Sequence, residues 1–280
     1  MAAHISTVQN SRLKTMVVPR EHGAWGMLLV PMATGAVVAA RTGVNTAALA
    51  LFVTAAMSLF WLRTPVESWL GTSAIKALTP HERSFVGRTI AAIGSLAVLS
   101  LAALLWAGNL RALIVIGTAS ALAFGVQAAV KQLGRRGRMP AQVIGAIGLT
   151  STAAGAYCVA TGRLDRTAIA LWIANWLFAG DQIHFVQVRI RFSRAASFPE
   201  KLASGLPFLL GQAALLAVIA ISWRIALFPA AIVVAFVPVL LRGIRWFTCG
   251  PQPLDVHKLG FSELGQSLLF GALLCAAFLV

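Results

Sequence analysis

Acidic residues are scarce in this chain. Eight Asp and Glu stand against 23 Lys and Arg in 280 residues, and charged residues make up only 11% of the total. Soluble domains carry about a quarter charged residues, so a soluble globular fold is excluded. Cysteine is almost as sparse: Cys158, Cys249 and Cys275 show no CxxC spacing and lie in or beside apolar stretches. Packing is therefore their expected role, over a redox or metal one. No fixed-period repeat and no soluble domain is visible. The apolar runs do not alternate with polar residues, which rules out a membrane β-barrel.

What the chain does have is length of apolar run. Hydrophobic residues make up 59% of it, and a bilayer-crossing helix needs roughly 20 of them in a row. The runs predict an all-α polytopic membrane protein with about nine transmembrane helices, near 23–40, 46–62, 86–106, 111–130, 141–161, 167–188, 205–222, 225–241 and 262–279. Residues 1–280 then form one integral membrane domain, with a short cytoplasmic tail at 1–20. A cleaved signal peptide ending at Val38-Ala39-Ala40 is disfavoured, because the polar lead-in is long and Pro31 interrupts the apolar stretch.

Positive charge follows the loops. Of the 23 basic residues, only Arg41, Arg111, Arg163, Arg166 and Arg224 fall on one set of connections, and all others on the alternate set. By the positive-inside bias the N-terminus lies in the cytoplasm and the C-terminus outside, as in a bacterial cytoplasmic membrane. This accounts for the net charge of +15 without a nucleic-acid partner. Trp25, Trp61, Trp69 and Trp246 mark the inner belt and Trp106, Trp172 and Trp223 the outer one, while Trp176 sits deeper, against the bundle. Small-residue patches such as Gly145-Ala146-Ile147-Gly148 let helices approach closely.

Polar chemistry collects on the cytoplasmic side. Pro19-Arg20-Glu21-His22-Gly23-Ala24-Trp25 crowds Arg, Glu and His at the mouth of the first helix. His22 either snorkels to the interface or, with Glu21 beside it, lines a polar chamber. On the sixth helix Asp181 and His184 stand three apart with Val188 at the next turn, so the three share a face. Ionisable groups inside membrane helices mark function by default, against the plainer alternative of a structural bond to a neighbouring helix. Glu82, Glu200 and Asp255 read as ordinary loop charges. The cluster from Lys131 through Arg135 to Arg138 anchors a helix C-terminus, where the macrodipole favours cations, and could also capture phosphate.

The stretch from Ala129-Val130-Lys131 through Arg138-Met139-Pro140-Ala141-Gln142 toward Tyr157 resembles the fourth-to-fifth helix junction of the UbiA-type prenyltransferases. Trp176 to His184 resembles that superfamily's YDxxYA stretch, with Asp181 at the Asp and His184 at the Tyr. The resemblance implies nine helices, a cytoplasmic-side active site and a lysine, here Lys131, on a diphosphate. It also implies Mg²⁺ held by aspartate-rich motifs. Those are missing: Leu62-Arg63-Thr64-Pro65-Val66-Glu67-Ser68-Trp69 has one acid, and the later positions fall on Val188 and Phe192. The HGAW entry at His22–Trp25 and the RTPxxxW turn at Arg63–Trp69 are closer still to bacterial YwiC-like membrane proteins, taken here as a divergent branch of the UbiA-like architecture.

Three readings follow. In the first, a transferase acts on an isoprenoid or other lipid phosphate: Asp181, His184 and His22 do chemistry, while Arg63, Glu67, Lys131, Arg135, Gln142, Glu21 and Trp25 bind substrate, and Mg²⁺ is left open. In the second, a non-catalytic binder takes quinone, haem or lipid against His22, His184, Trp25, Trp61 and Phe185. In the third, a transporter, matched broken helices would be needed, and Pro31 and Pro238 do not provide them.

Overall fold

The computed structural model describes residues 12–19, 22–108, 110–134, 137–191, 197–249 and 254–280. Among these, all regular structure is helical. The helices are α1 (His22–Ala39), α2 (Thr46–Leu70), α3 (Pro80–Trp106), α4 (Leu110–Lys131), α5 (Arg138–Thr150), α6 (Thr152–Thr161), α7 (Arg166–Arg191), α8 (Phe198–Arg224), α9 (Ile232–Thr248) and α10 (Val256–Leu279). Seven spans are long and apolar enough to cross a membrane, counting α5 and α6 together as Arg138–Thr161. The chain is an all-α polytopic membrane protein. With α5 and α6 taken as one, the described residues form nine long helices, the number expected; α7 and α9 fall outside the seven because α9 has 17 residues and Asn175, Asp181, Gln182 and His184 dilute the apolar run of α7.

The helices also run past the apolar windows, because their polar ends are capped. Asn45 Oδ1 accepts from the Ala48 N–H at the start of α2. Thr79 with Glu82, and Ser197 with Glu200, form reciprocal capping boxes on α3 and α8. Asp255 caps α10, and Asp165 Oδ1 accepts from the N–H groups of Thr167 and Ala168 at the start of α7. Each such bond satisfies a backbone donor that the helix leaves open. The residues read as loop charges are thus helix starts.

The chain forms two compact units. The smaller draws on Met1–His22 and Asn45–Leu110, the larger on Gly23–Val44 and Arg111–Val280. In the smaller unit α2 and α3 form a hairpin. The RTPxxxW segment, expected as a turn after residue 62, is instead the last two turns of α2. Pro65 removes one N–H and the helix continues through it. Termination comes at Gly71, whose φ of 74° suits a residue without Cβ. A short helical segment over residues 12–17 docks on this hairpin. Ser68 Oγ donates to the Met16 carbonyl, Trp61 Nε1 donates to the Val17 carbonyl, and Arg12 pairs with Glu82 at 2.8 Å. Met16, Ala77 and Val86 are buried beneath it.

In the larger unit α7 is central and packs on α5, α6, α8, α9 and α10. Small residues let the others close on it: Ala168, Ala170, Ala174 and Ala179 are buried, and Phe178 stacks on Phe270 of α10 at 4.1 Å. α1 meets α6 more closely still. A Cβ on Gly35 would lie 2.1 Å from the Ala153 carbonyl oxygen, and Thr152 Oγ1 donates to the Leu28 carbonyl nearby. Trp172 and Trp176 donate their indole N–H groups to the Ile147 and Val143 carbonyls of α5. Trp176 therefore packs in the bundle as expected. Trp172 and the buried Trp246 also pack between helices.

A buried carboxylate–arginine–carboxylate clamp as candidate functional site

The chain's acids can be accounted for one by one. Glu82, Asp165, Glu200 and Asp255 cap helices. Glu67 pairs with Arg63 at 2.9 Å, four residues apart on an exposed face of α2. Among the described acids that leaves Asp181 and Glu263, both buried within the larger unit.

These two share one cation. Arg242 of α9 places Nη2 at 2.9 Å from Asp181 Oδ2 of α7 and Nη1 at 2.5 Å from Glu263 Oε2 of α10. The side chains of Arg242, Asp181 and Glu263 are 9%, 3% and 10% exposed. The guanidinium lies over the Phe185 ring, 4.1 Å from its centroid, a stacking that arginine favours. Gln212 of α8 donates to Asp181 Oδ1. Four helices thus meet on one charged knot. Next to it Gln182 Nε2 donates to the Glu263 carbonyl and to Ser267 Oγ, at 2.9 and 3.0 Å. A crevice of single-water size borders Gln182 and Ser267, lined also by Thr150 and Asn175. A prenyl chain does not fit in that crevice.

His184 lies on the same face as Asp181 but turns to different partners. Its ring meets Phe208 edge-on at 5.2 Å, and its Nδ1 would lie 3.0 Å from a Cβ on Gly211. It is half-buried. Val188 joins Phe185, Phe208, Trp246 and Phe247 in one apolar cluster. At the same pole Gln187 of α7 donates to Gln142 of α5 at 3.2 Å, and Lys201 of α8 donates to the Trp246 and Cys249 carbonyls at the end of α9. The starts of α5, α8 and α10 and the ends of α7 and α9 therefore share one pole of the larger unit.

The other sequence-derived candidates are placed as follows. Lys131 is exposed at the end of α4, and Trp25 is half-buried on α1. Arg63 and Glu67 belong to the smaller unit, as does Trp61. Phe185, offered as a wall for a flat ligand, lies under Arg242. Glu21, Arg135 and the His22 side chain lie outside the described residues. Arg242, Glu263 and Gln212 were not among the candidates. A carboxylate inside an apolar run needs a cation on another helix, and Arg242, within Val239-Leu240-Leu241-Arg242-Gly243-Ile244, was the signal for it.

The clamp offers little to Mg²⁺. Both Asp181 oxygens and Glu263 Oε2 are engaged by protein donors, so Glu263 Oε1 is the one carboxylate oxygen of the clamp without a partner. Among the described residues no group of three or more His, Cys, Asp or Glu is placed to hold a metal, and Mg²⁺ usually takes one or two carboxylates beside phosphate oxygens.

Comparison with known proteins places the chain. No curated protein and no solved structure matches it. The family model described as YwiC-like protein matches residues 18–157, from the docked N-terminal segment to the middle of α6, and stops short of the clamp. With that match spanning half of its length, the chain belongs to the YwiC-like family.

Proposed function

We propose that this YwiC-like protein sits in the bacterial cytoplasmic membrane, N-terminus inside, and takes the phosphate head of an isoprenoid or membrane lipid at the basic pole of its larger unit. One observation carries the reading. Lys131, Arg138, Arg191 and Arg245 are exposed at that pole, and among the described residues none has a carboxylate partner. Nearby acids are spent on caps or on Arg242. Unpaired arginine and lysine at a helix-end pole suit a phosphate, and cations at the ends of α4, α7 and α9 also sit well with the helix dipoles. In the UbiA-type transferase version, Lys131 holds the phosphate and the half-buried His184 is the group able to move a proton. The occupied Asp181 oxygens favour binding without transfer.

The full chain in lipid nanodiscs is expected to bind farnesyl diphosphate more tightly than farnesol. The double change Lys131→Glu and Arg191→Glu should weaken that binding at least tenfold, since it reverses two charges at the site. Equal affinity for the alcohol and the diphosphate, or no effect of charge reversal, rejects the phosphate reading. Product formed from farnesyl diphosphate and Mg²⁺ with a panel of acceptors would restore the transferase version. Orientation is tested separately: alkaline phosphatase fused after Val280 should be active, and an inactive fusion with an active cytoplasmic reporter reverses it.

A further inference from the structure

The clamp is not electrically balanced. Two carboxylates, Asp181 and Glu263, face one guanidinium, Arg242, and all three side chains are about nine-tenths buried. A surplus charge in a desolvated helix bundle is costly, and proteins remove it by binding a counter-charge or a proton. No cluster of ligating residues fits a metal there among the described residues. A proton therefore suits the surplus best.

The hydrogen bonds say where it goes. Asp181 uses both oxygens, one on Gln212 and one on Arg242. Glu263 uses Oε2 on Arg242, while its Oε1 is buried and has no partner. Gln266, one turn further along α10, likewise has a buried, unpartnered Oε1, as does Gln212. Arg242 Nε is the one buried donor likewise without a partner among the described residues, against these three acceptor oxygens. We propose that Glu263 Oε1 is a proton-binding position, and that at neutral pH the clamp holds one proton there as Glu263–COOH. The step is simple addition: a solvent hydronium gives up a proton and leaves water, the Oε1–H bond forms, and Arg242 keeps its charge for Asp181.

The surroundings offer few rivals. From α7, Asp181 and the more distant Arg189 act on the site, and His184 turns toward Phe208 and Gly211. From α8, Gln212 is neutral and Lys201 is held by carbonyls at the end of α9. From α9 only Arg242 reaches in, and Arg245 is exposed. On α10, Lys258 pairs with Asp255 at 3.8 Å. α1 between Gly23 and Ala39 has no ionisable residue. The single-water crevice beside Gln182 and Ser267 continues the polar track toward Asn175 and Thr34, which hydrogen-bond to each other.

This inference is independent of the lipid-phosphate reading, and its test uses no ligand. Infrared spectra of the full chain in nanodiscs at neutral pH should show a protonated-carboxyl C=O band. Glu263→Gln and Asp181→Asn should each abolish it, since either leaves one carboxylate facing one guanidinium, and Glu263→Asp should shift it, because the protonated group itself is changed. Arg242→Gln should double it, because both carboxylates must then be neutral. Absence of the band in the unaltered protein means Arg189 settles the surplus and overturns the proposal. So does a band that survives Glu263→Gln, or one unchanged by Arg242→Gln.

Discussion

Replacing Arg242 by methionine is expected to cost about 3–5 kcal/mol of stability, because it leaves two buried carboxylates without their shared cation. Methionine roughly preserves the side-chain length and the packing on Phe185, so the loss reports charge more than volume. Adding Asp181→Asn and Glu263→Gln to the same chain should recover most of the loss. Buried ion pairs are often close to break-even against neutral replacements, and what is expensive is breaking one. Denaturation in mixed micelles, followed by circular dichroism, measures both changes. If Arg242→Met unfolds at the same denaturant fraction as the unaltered protein, the clamp does not hold the four helices together.

Gly35→Ala is the second large effect. The added methyl would sit 2.1 Å from a backbone oxygen of Ala153, far inside van der Waals contact. Neither partner is a flexible side chain, so α1 and α6 must move apart. Overpacking costs about 1–3 kcal/mol where side chains can adjust, and a backbone clash belongs at the top of that range. Gly117→Ala on α4 is the matched control. A Cβ there meets nothing within 4 Å, and alanine favours a helix over glycine by about 0.8–1 kcal/mol. The thermal transition should fall for Gly35→Ala and hold or rise for Gly117→Ala. A Gly35→Ala protein that melts with the unaltered one would mean that this close approach is absent.

Parts of this architecture are plain in the residues and parts are not. Long apolar runs reveal helices because a membrane span must satisfy its own backbone. Asp181 stands out because nothing polar belongs in such a run. Its partners do not stand out in the same way. Arg242 and Glu263 lie 61 and 82 positions away, and only folding shows that α9 and α10 place them beside α7. Arg242 reads as an ordinary inner-loop cation because the apolar window ends at residue 241, about two turns before the helix does at Thr248. Pro65 reads as a stop, although a proline with its carbonyl partner one turn back costs a helix a single bond. The capping acids Glu82, Glu200 and Asp255 look like surface charge because a cap is a matter of backbone direction, not composition. The small-residue stretches of α5 and α6 suggest close approach, but not that Gly35 on α1 would be the partner.

The two helices too polar or too short to count as independent spans, α7 and α9, are the ones that bring Asp181 and Arg242 together. A carboxylate or guanidinium near the middle of a lone helix raises its insertion cost by about 2.5–3.5 kcal/mol. Biogenesis is therefore sequential. α7 leaves the ribosome well before α9 and α10, and the translocon must keep it in a polar or protein-lined setting until they arrive. A chain truncated after α8 should leave α7 poorly integrated, exposed to quality-control proteolysis, even though every residue of that helix is present.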